Sequence, residues 1–146
     1  MAASAWKVFD IAKFKIGVGS LNLSAGPFRM SLHRSSASTN ISGAITVWGS
    51  IADECSGGGY SALTLSGLSW KEGVSAGVQL FNFTDPVFTA SASILSAVRY
   101  AVVYKSTAAS SGIPLIYAAL STAEFNVTTS NTLTIQLATT GAFTLA

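Results

Sequence analysis

The run Ile94-Leu-Ser-Ala-Val-Arg-Tyr-Ala-Val-Val-Tyr-Lys105 is the longest apolar, β-branched and aromatic stretch in the chain. Its even positions, Ile94, Val98, Tyr100, Val102 and Tyr104, carry bulky side chains. Its odd positions, Leu95, Ala97, Ala101 and Val103, are apolar as well, interrupted only by Arg99. Successive side chains of a strand point to opposite faces, so a strand apolar on both must be covered on both. The run therefore predicts the central strand of a sheet against which the rest of the chain packs. It is too short, and too charged at Arg99 and Lys105, to cross a bilayer. A guanidinium in such a strand needs acceptors or solvent. Arg99 is expected to pair with a carboxylate such as Asp85, or to lie where a second subunit makes contact.

A chain of 146 residues is expected to form one domain over residues 1–146, large enough to bury a core. Charged residues make up 10% of it, against a usual value of about 25%, and the mean hydropathy is +0.50. Disorder is excluded, because it requires low hydrophobicity and high charge. A surface this poor in charge and rich in Ser, Thr and Ala is better explained if much of it is buried against partners. The net charge of +2 is scattered, with no basic cluster, so no nucleic-acid partner is expected. Cys55 is the only cysteine, which rules out an internal disulfide. Residues 1–7 lack the basic and apolar regions of a signal peptide, so cytoplasmic synthesis without export, and no membrane partner, is expected.

Residues 4–15 read as a helix, within an N-terminal helix or arm over residues 1–16. Ser4 is its expected N-cap, Trp6, Phe9 and Lys13 share a face, and Gly17 and Gly19 stop it. The plainer reading packs its aromatics on its own domain; the sharper one docks it on a neighbouring subunit. From Gly17 onward short strands alternate with turns. Residues 28–34 predict a strand with Phe28, Met30 and Leu32 inward and Arg29, Ser31 and His33 on a wet face. Residues 35–42 read as a polar loop, mobile unless a partner orders it, and residues 44–52 as a strand or a short helical turn around Trp48. A glycine turn at 55–60, a bend at Gly67, a corner at Asp85-Pro86, a Ser/Ala/Gly loop at 106–112 and strands near 115–120, 132–137 and 142–145 complete the pattern. The expected fold is all-β: an antiparallel β-sandwich or jelly-roll-like barrel with one short N-terminal helix. Its expected core is Phe28, Met30, Leu32, Val98, Tyr100, Val102, Leu133, Ile135 and Phe143.

No stretch offers a chemical signature. His33, the only histidine, has no carboxylate beside it in sequence, and Cys55 follows Asp53 and Glu54, whose charge works against a thiolate. Asp53-Glu54 alone makes a poor cation site, and Gly57–Gly59 lack the Lys-Ser/Thr and helix of a phosphate loop. No catalytic residue, cofactor or metal is expected. The low charge, the Ser/Ala-rich loops and the aromatic helix point instead to surfaces completed by neighbours, with Trp6, Phe9, Phe14 and Arg99 as the candidate assembly interface.

The order of features carries a resemblance. It comprises Val8-Phe-Asp-Ile-Ala-Lys-Phe-Lys15, Gly19-Ser-Leu-Asn-Leu23, Phe28-Arg-Met-Ser-Leu32, Gly57-Gly-Gly-Tyr60 and Phe83-Thr-Asp-Pro-Val-Phe-Thr-Ala90. It continues through Arg99-Tyr-Ala-Val-Val-Tyr-Lys105, Pro114-Leu-Ile-Tyr117, Leu133-Thr-Ile-Gln136 and Gly141-Ala-Phe-Thr-Leu145. Over nearly its whole length the chain resembles a family of small virion structural proteins of tailed bacteriophages, with fewer acidic residues in its long loops. The resemblance implies a non-enzymatic virion component, foremost a capsid decoration or cement protein stabilising the phage head. Its partners would then be the major capsid protein and copies of itself, as a homo-oligomer on the particle. A neck, tail or fibre-associated virion protein is the alternative. From another class, a carbohydrate-binding module would use Trp48, Trp70 and Tyr60 as stacking platforms.

Overall fold

The computed structural model describes residues 4–39, 41–73, 76–107, 111–138 and 141–145. In chain order its elements are β1 (Lys7–Val8), α1 (Asp10–Gly17), β2 (Phe28–His33), β3 (Leu63–Thr64), β4 (Ser69–Glu72), β5 (Gln79–Asn82) and β6 (Val87–Thr89). Then follow β7 (Leu95–Val98), β8 (Tyr100–Lys105), β9 (Ile113–Ala119), β10 (Phe125–Val127), β11 (Thr132–Thr134) and β12 (Phe143–Leu145). Short 3₁₀ helices lie at Ser35–Thr39 and Trp48–Ser50. A five-stranded sheet runs β1-β9-β8-β2-β3, a three-stranded sheet runs β12-β5-β4, and β7-β10 and β6-β11 form two ribbons. Every pairing is antiparallel. The architecture is the expected sandwich, with no closed barrel among the described residues.

The central-strand expectation holds for half of its segment. β8 lies between β2 and β9, and Ala101, Val102, Val103 and Tyr104 are all buried, so both faces are covered. The other half is a separate strand. Ala97 takes φ 59°, in the left-handed region, and the chain turns at Arg99 from the β7-β10 ribbon into the main sheet. Ile94 precedes β7 and is 47% exposed.

β2 corrects the second expectation. Phe28, Met30 and Leu32 are buried as predicted, but Ser31 and His33 are fully buried too. The intended wet face is covered by the segment around Trp48, whose indole donates to Ser31. That segment settles as a 3₁₀ turn rather than a strand.

The N-terminal helix starts later than its composition suggested. Lys7 and Val8 pair with Tyr117 and Ile116, and Ser4 is held by Ala119: its hydroxyl accepts the Ala119 N–H at 2.9 Å. Edge pairing thus satisfies the backbone before Phe9, the N-cap, which makes no side-chain cap bond. The stop after Gly17 is where the glycines placed it. The 35–39 segment is pinned: the Ser35 N–H donates to Glu124 Oε1 at 2.7 Å, and Ala37 is buried. Asn40, and residues 108–110 of the other polar loop, lie outside the described residues.

Of the expected core, Phe28, Met30, Leu32, Val98, Val102, Ile135 and Phe143 are buried, while Tyr100 and Leu133 are half-buried against it. Phe81, on β5, joins the two larger sheets. Its ring lies 5.9 Å from Phe28, 5.7 Å from Phe83 and 5.4 Å from Phe143.

Candidate functional site

Alternation places Ser31 and His33, two residues apart, on one face of β2. Their side chains meet there, His33 Nε2 lying 2.9 Å from Ser31 Oγ. His33 Nδ1 lies 2.9 Å from the Ala52 carbonyl. A carbonyl only accepts, so Nδ1 carries the proton and Nε2 accepts from the Ser31 hydroxyl. Trp48 Nε1–H donates to the same Ser31 oxygen at 3.0 Å, and the Trp48 ring stacks on Tyr104 at 4.2 Å. These bonds suit a neutral imidazole protonated at Nδ1. Burial holds the His33 pKa below its ordinary value, against the opposing pull of the Ala52 carbonyl, Glu54 and Asp53.

A serine beside a histidine is half of a nucleophile–base arrangement. Here a backbone carbonyl stands where an orienting carboxylate would, and both side chains are closed to solvent, so no substrate carbonyl can reach Ser31. Instead the cluster locks the 44–55 segment onto β2. Tyr60 extends it: its hydroxyl donates to Glu54 Oε1 at 2.8 Å and accepts the Leu32 N–H at 2.9 Å. Burial raises the Tyr60 pKa strongly, so the phenol stays protonated. Cys55 is buried as well, and its thiol is pushed up to about 11, by burial first and with Glu54 adding to it, while Arg34 opposes. Among the described residues no three His, Cys, Asp or Glu side chains gather to hold a metal ion.

The four assembly candidates part company. Phe9 is fully buried and packs on Tyr117, ring centres 4.7 Å apart, so it belongs to the chain's own core and is unavailable to a neighbour. Trp6 is half-buried against the same core. Phe14 is 60% exposed, and Val18, just past the helix end, is 58% exposed. These two are the most exposed large apolar side chains described. The sequence reading missed Val18 because it lies beyond the glycine stop, outside the helical pattern. Arg99 does not pair with Asp85, whose carboxylate accepts the Leu137 N–H instead. Its Nη1 donates to Ser35 Oγ at 3.1 Å, its guanidinium lies 5.3 Å from the Tyr100 ring centre, and its Nε is buried without a partner.

The chain matches no protein-family model, no curated protein and no solved structure.

The three aromatics considered as sugar platforms are each engaged inside the chain. Trp48 stacks on Tyr104, Trp70 packs on Phe143 and Tyr60 stacks on Phe88. Among the described residues no helix is long and apolar enough to cross a membrane. Phe14 on α1 and Val18 just past its end are left exposed by the fold.

Proposed function

We propose that this chain is a non-enzymatic virion structural protein, a capsid decoration or cement protein that binds the phage head as a homo-oligomer. The reading rests on the resemblance of its strand order to small virion proteins of tailed bacteriophages. The observation that carries it is the pairing of buried and exposed apolar side chains along α1 and its two caps. Phe9 and Ala12 anchor the helix inward, while Phe14 and Val18 stand in solvent at its far end. A helix fastened to its own sheet that still presents large apolar groups is suited to burying area across a joint between subunits, at roughly 25 cal/mol per Å². The low charge supports the same reading, since little would be desolvated on contact.

The test is the composition of washed particles. A decoration protein is retained at a regular ratio to the major capsid protein, and Phe14→Ser with Val18→Ser lowers that ratio without lowering the melting temperature. A few copies per particle would move the protein to the neck, tail or fibres. Its absence from washed particles would end the virion assignment.

A further inference from the structure

Residues 58–66 and 84–92 run antiparallel beside each other and are tied together at both ends. At one end the Ser91 N–H donates to the Gly58 carbonyl at 2.9 Å; at the other the Thr84 N–H donates to the Ser66 carbonyl at 2.9 Å. Glycines allow both closures. A Cβ on Gly59 would run into Ser91 Oγ and one on Gly67 into Thr84 Oγ1, and both glycines have positive φ, 75° and 62°. The two ties differ by one residue in register, so a ladder with a single bulge would pair the residues between them. It does not form: among the described residues β3 pairs only with β2, and β6 only with β11. The segments bow apart around a cleft of about 240 Å³, lined by Tyr60, Ser61, Leu63, Val87, Phe88 and Thr89 among others.

The main chain of β6 faces this cleft. The Ala90 N–H donates to the Asn131 carbonyl and the Ile135 N–H to the Pro86 carbonyl, each at 3.0 Å. Antiparallel strands alternate, so the bonds of Pro86, Phe88 and Ala90 go to the β11 side, and Val87 and Thr89 turn their N–H and C=O groups into the gap. Spaced by two residues, about 6.8 Å, these are the donors and acceptors of an unpaired strand edge. Among the described residues no Asp, Glu, Lys, Arg or His lines the cleft. Its lining mixes uncharged hydroxyl and apolar side chains, and Phe88, nearly buried, stacks on the Tyr60 ring, 6.0 Å between centres.

We propose that this cleft binds an extended, uncharged peptide segment of a partner protein, which hydrogen-bonds to Val87 and Thr89 and fills the interruption in the ladder. The absence of charged lining excludes charged side chains from the floor, where they would be desolvated without a counter-ion. A saccharide is less well served, because the two rings of the cleft, Tyr60 and Phe88, are stacked on each other.

The experiment is a titration of the isotope-labelled full chain, followed by its amide resonances, with acetyl-Thr-Val-Thr-Val-Thr-amide and separately with maltotriose. With the peptide, the Val87 and Thr89 amides shift saturably and their hydrogen exchange slows. Thr89→Pro removes one cleft-facing N–H but no bond to β11, and weakens peptide binding about tenfold. Val87→Lys, which puts a charge on the edge without touching the backbone, weakens it similarly and serves should the proline variant fold poorly. The proposal is overturned if millimolar peptide leaves both amides unmoved, if a folded variant binds undiminished, or if maltotriose alone occupies the cleft.

Discussion

His33 is the residue on which the 44–55 segment turns, and its protonation state can be read from its partners. Because the folded pKa lies below the ordinary value, the unfolded chain binds the proton more readily. The stability His33 contributes is complete above its unfolded pKa of about 6.5 and is lost as pH falls from there toward the folded pKa. Urea melts between neutral and mildly acidic pH should show that decline. His33→Gln should flatten it and cost about 1–3 kcal/mol at pH 7, by leaving buried groups without their partners. Cys55 offers a second residue-level test. With its thiol buried and pushed up to about 11, it should resist an aromatic disulfide reagent at pH 8 in the native protein and react fully in denaturant. Rapid native reaction would show that the segment opens. Val102, fully buried at the centre of β8, lies opposite Ser31, whose hydroxyl is already bonded to His33 and Trp48, so a new charge there would stand unpaired. Val102→Asp should cost several kcal/mol and unfold the domain; a soluble variant with a cooperative melt would show the face misassigned.

Two elements decide how the sheets are joined. At the β7–β8 break, Ala97 holds φ 59° and its N–H donates to Asn126 Oδ1 at 2.9 Å. The left-handed conformation costs an L-residue about 1–2 kcal/mol, part of which glycine recovers despite its larger unfolded entropy. Ala97→Gly should therefore be neutral or stabilising by about 0.5 kcal/mol, and Ala97→Val destabilising, as read from denaturant midpoints. A destabilised glycine variant would mean that the Ala97 methyl packs more than it strains. The second element is the β1–α1 segment. With Lys7 and Val8 paired to β9 and Phe9 and Ala12 buried, it is part of the domain and not a detachable arm. Phe9→Ala should cost about 3–5 kcal/mol, and deleting residues 1–15 should lower the melting temperature or cause aggregation. The proposed virion contact is better probed at Phe14 and Val18, which stand exposed.

At the scale of the whole molecule, ion pairing among the described residues contributes little to stability. Among the described residues one ion pair is found, Lys13 with Asp10 at 2.8 Å, and both side chains are more than half exposed. Such a pair is worth about 0–1 kcal/mol and is screened by salt. Raising sodium chloride from low to molar concentration should thus leave the melting temperature nearly unchanged; a large drop would reveal ion pairing the fold does not show. What the sequence determined alone is what local periodicity can encode. The all-β class, the glycine turn at 57–59, the bend at Gly67, the strands around Phe28, Val102 and Thr132, and most of the core follow from alternation and turn chemistry. The sequence also placed Ser31 and His33 on one face of one strand. Alternation says which residues share a face, but not what covers it, because the cover comes from residues distant in the chain. Trp48 and Ala52 close over Ser31 and His33, Glu124 reaches back to Ser35, and β9 captures Lys7 and Val8 before the helix begins. Likewise, no local signal tells that the 58–66 and 84–92 segments, tied at their ends, separate in the middle. Those outcomes belong to the tertiary structure, because a buried polar group or an open strand edge is defined by the neighbours that folding brings to it.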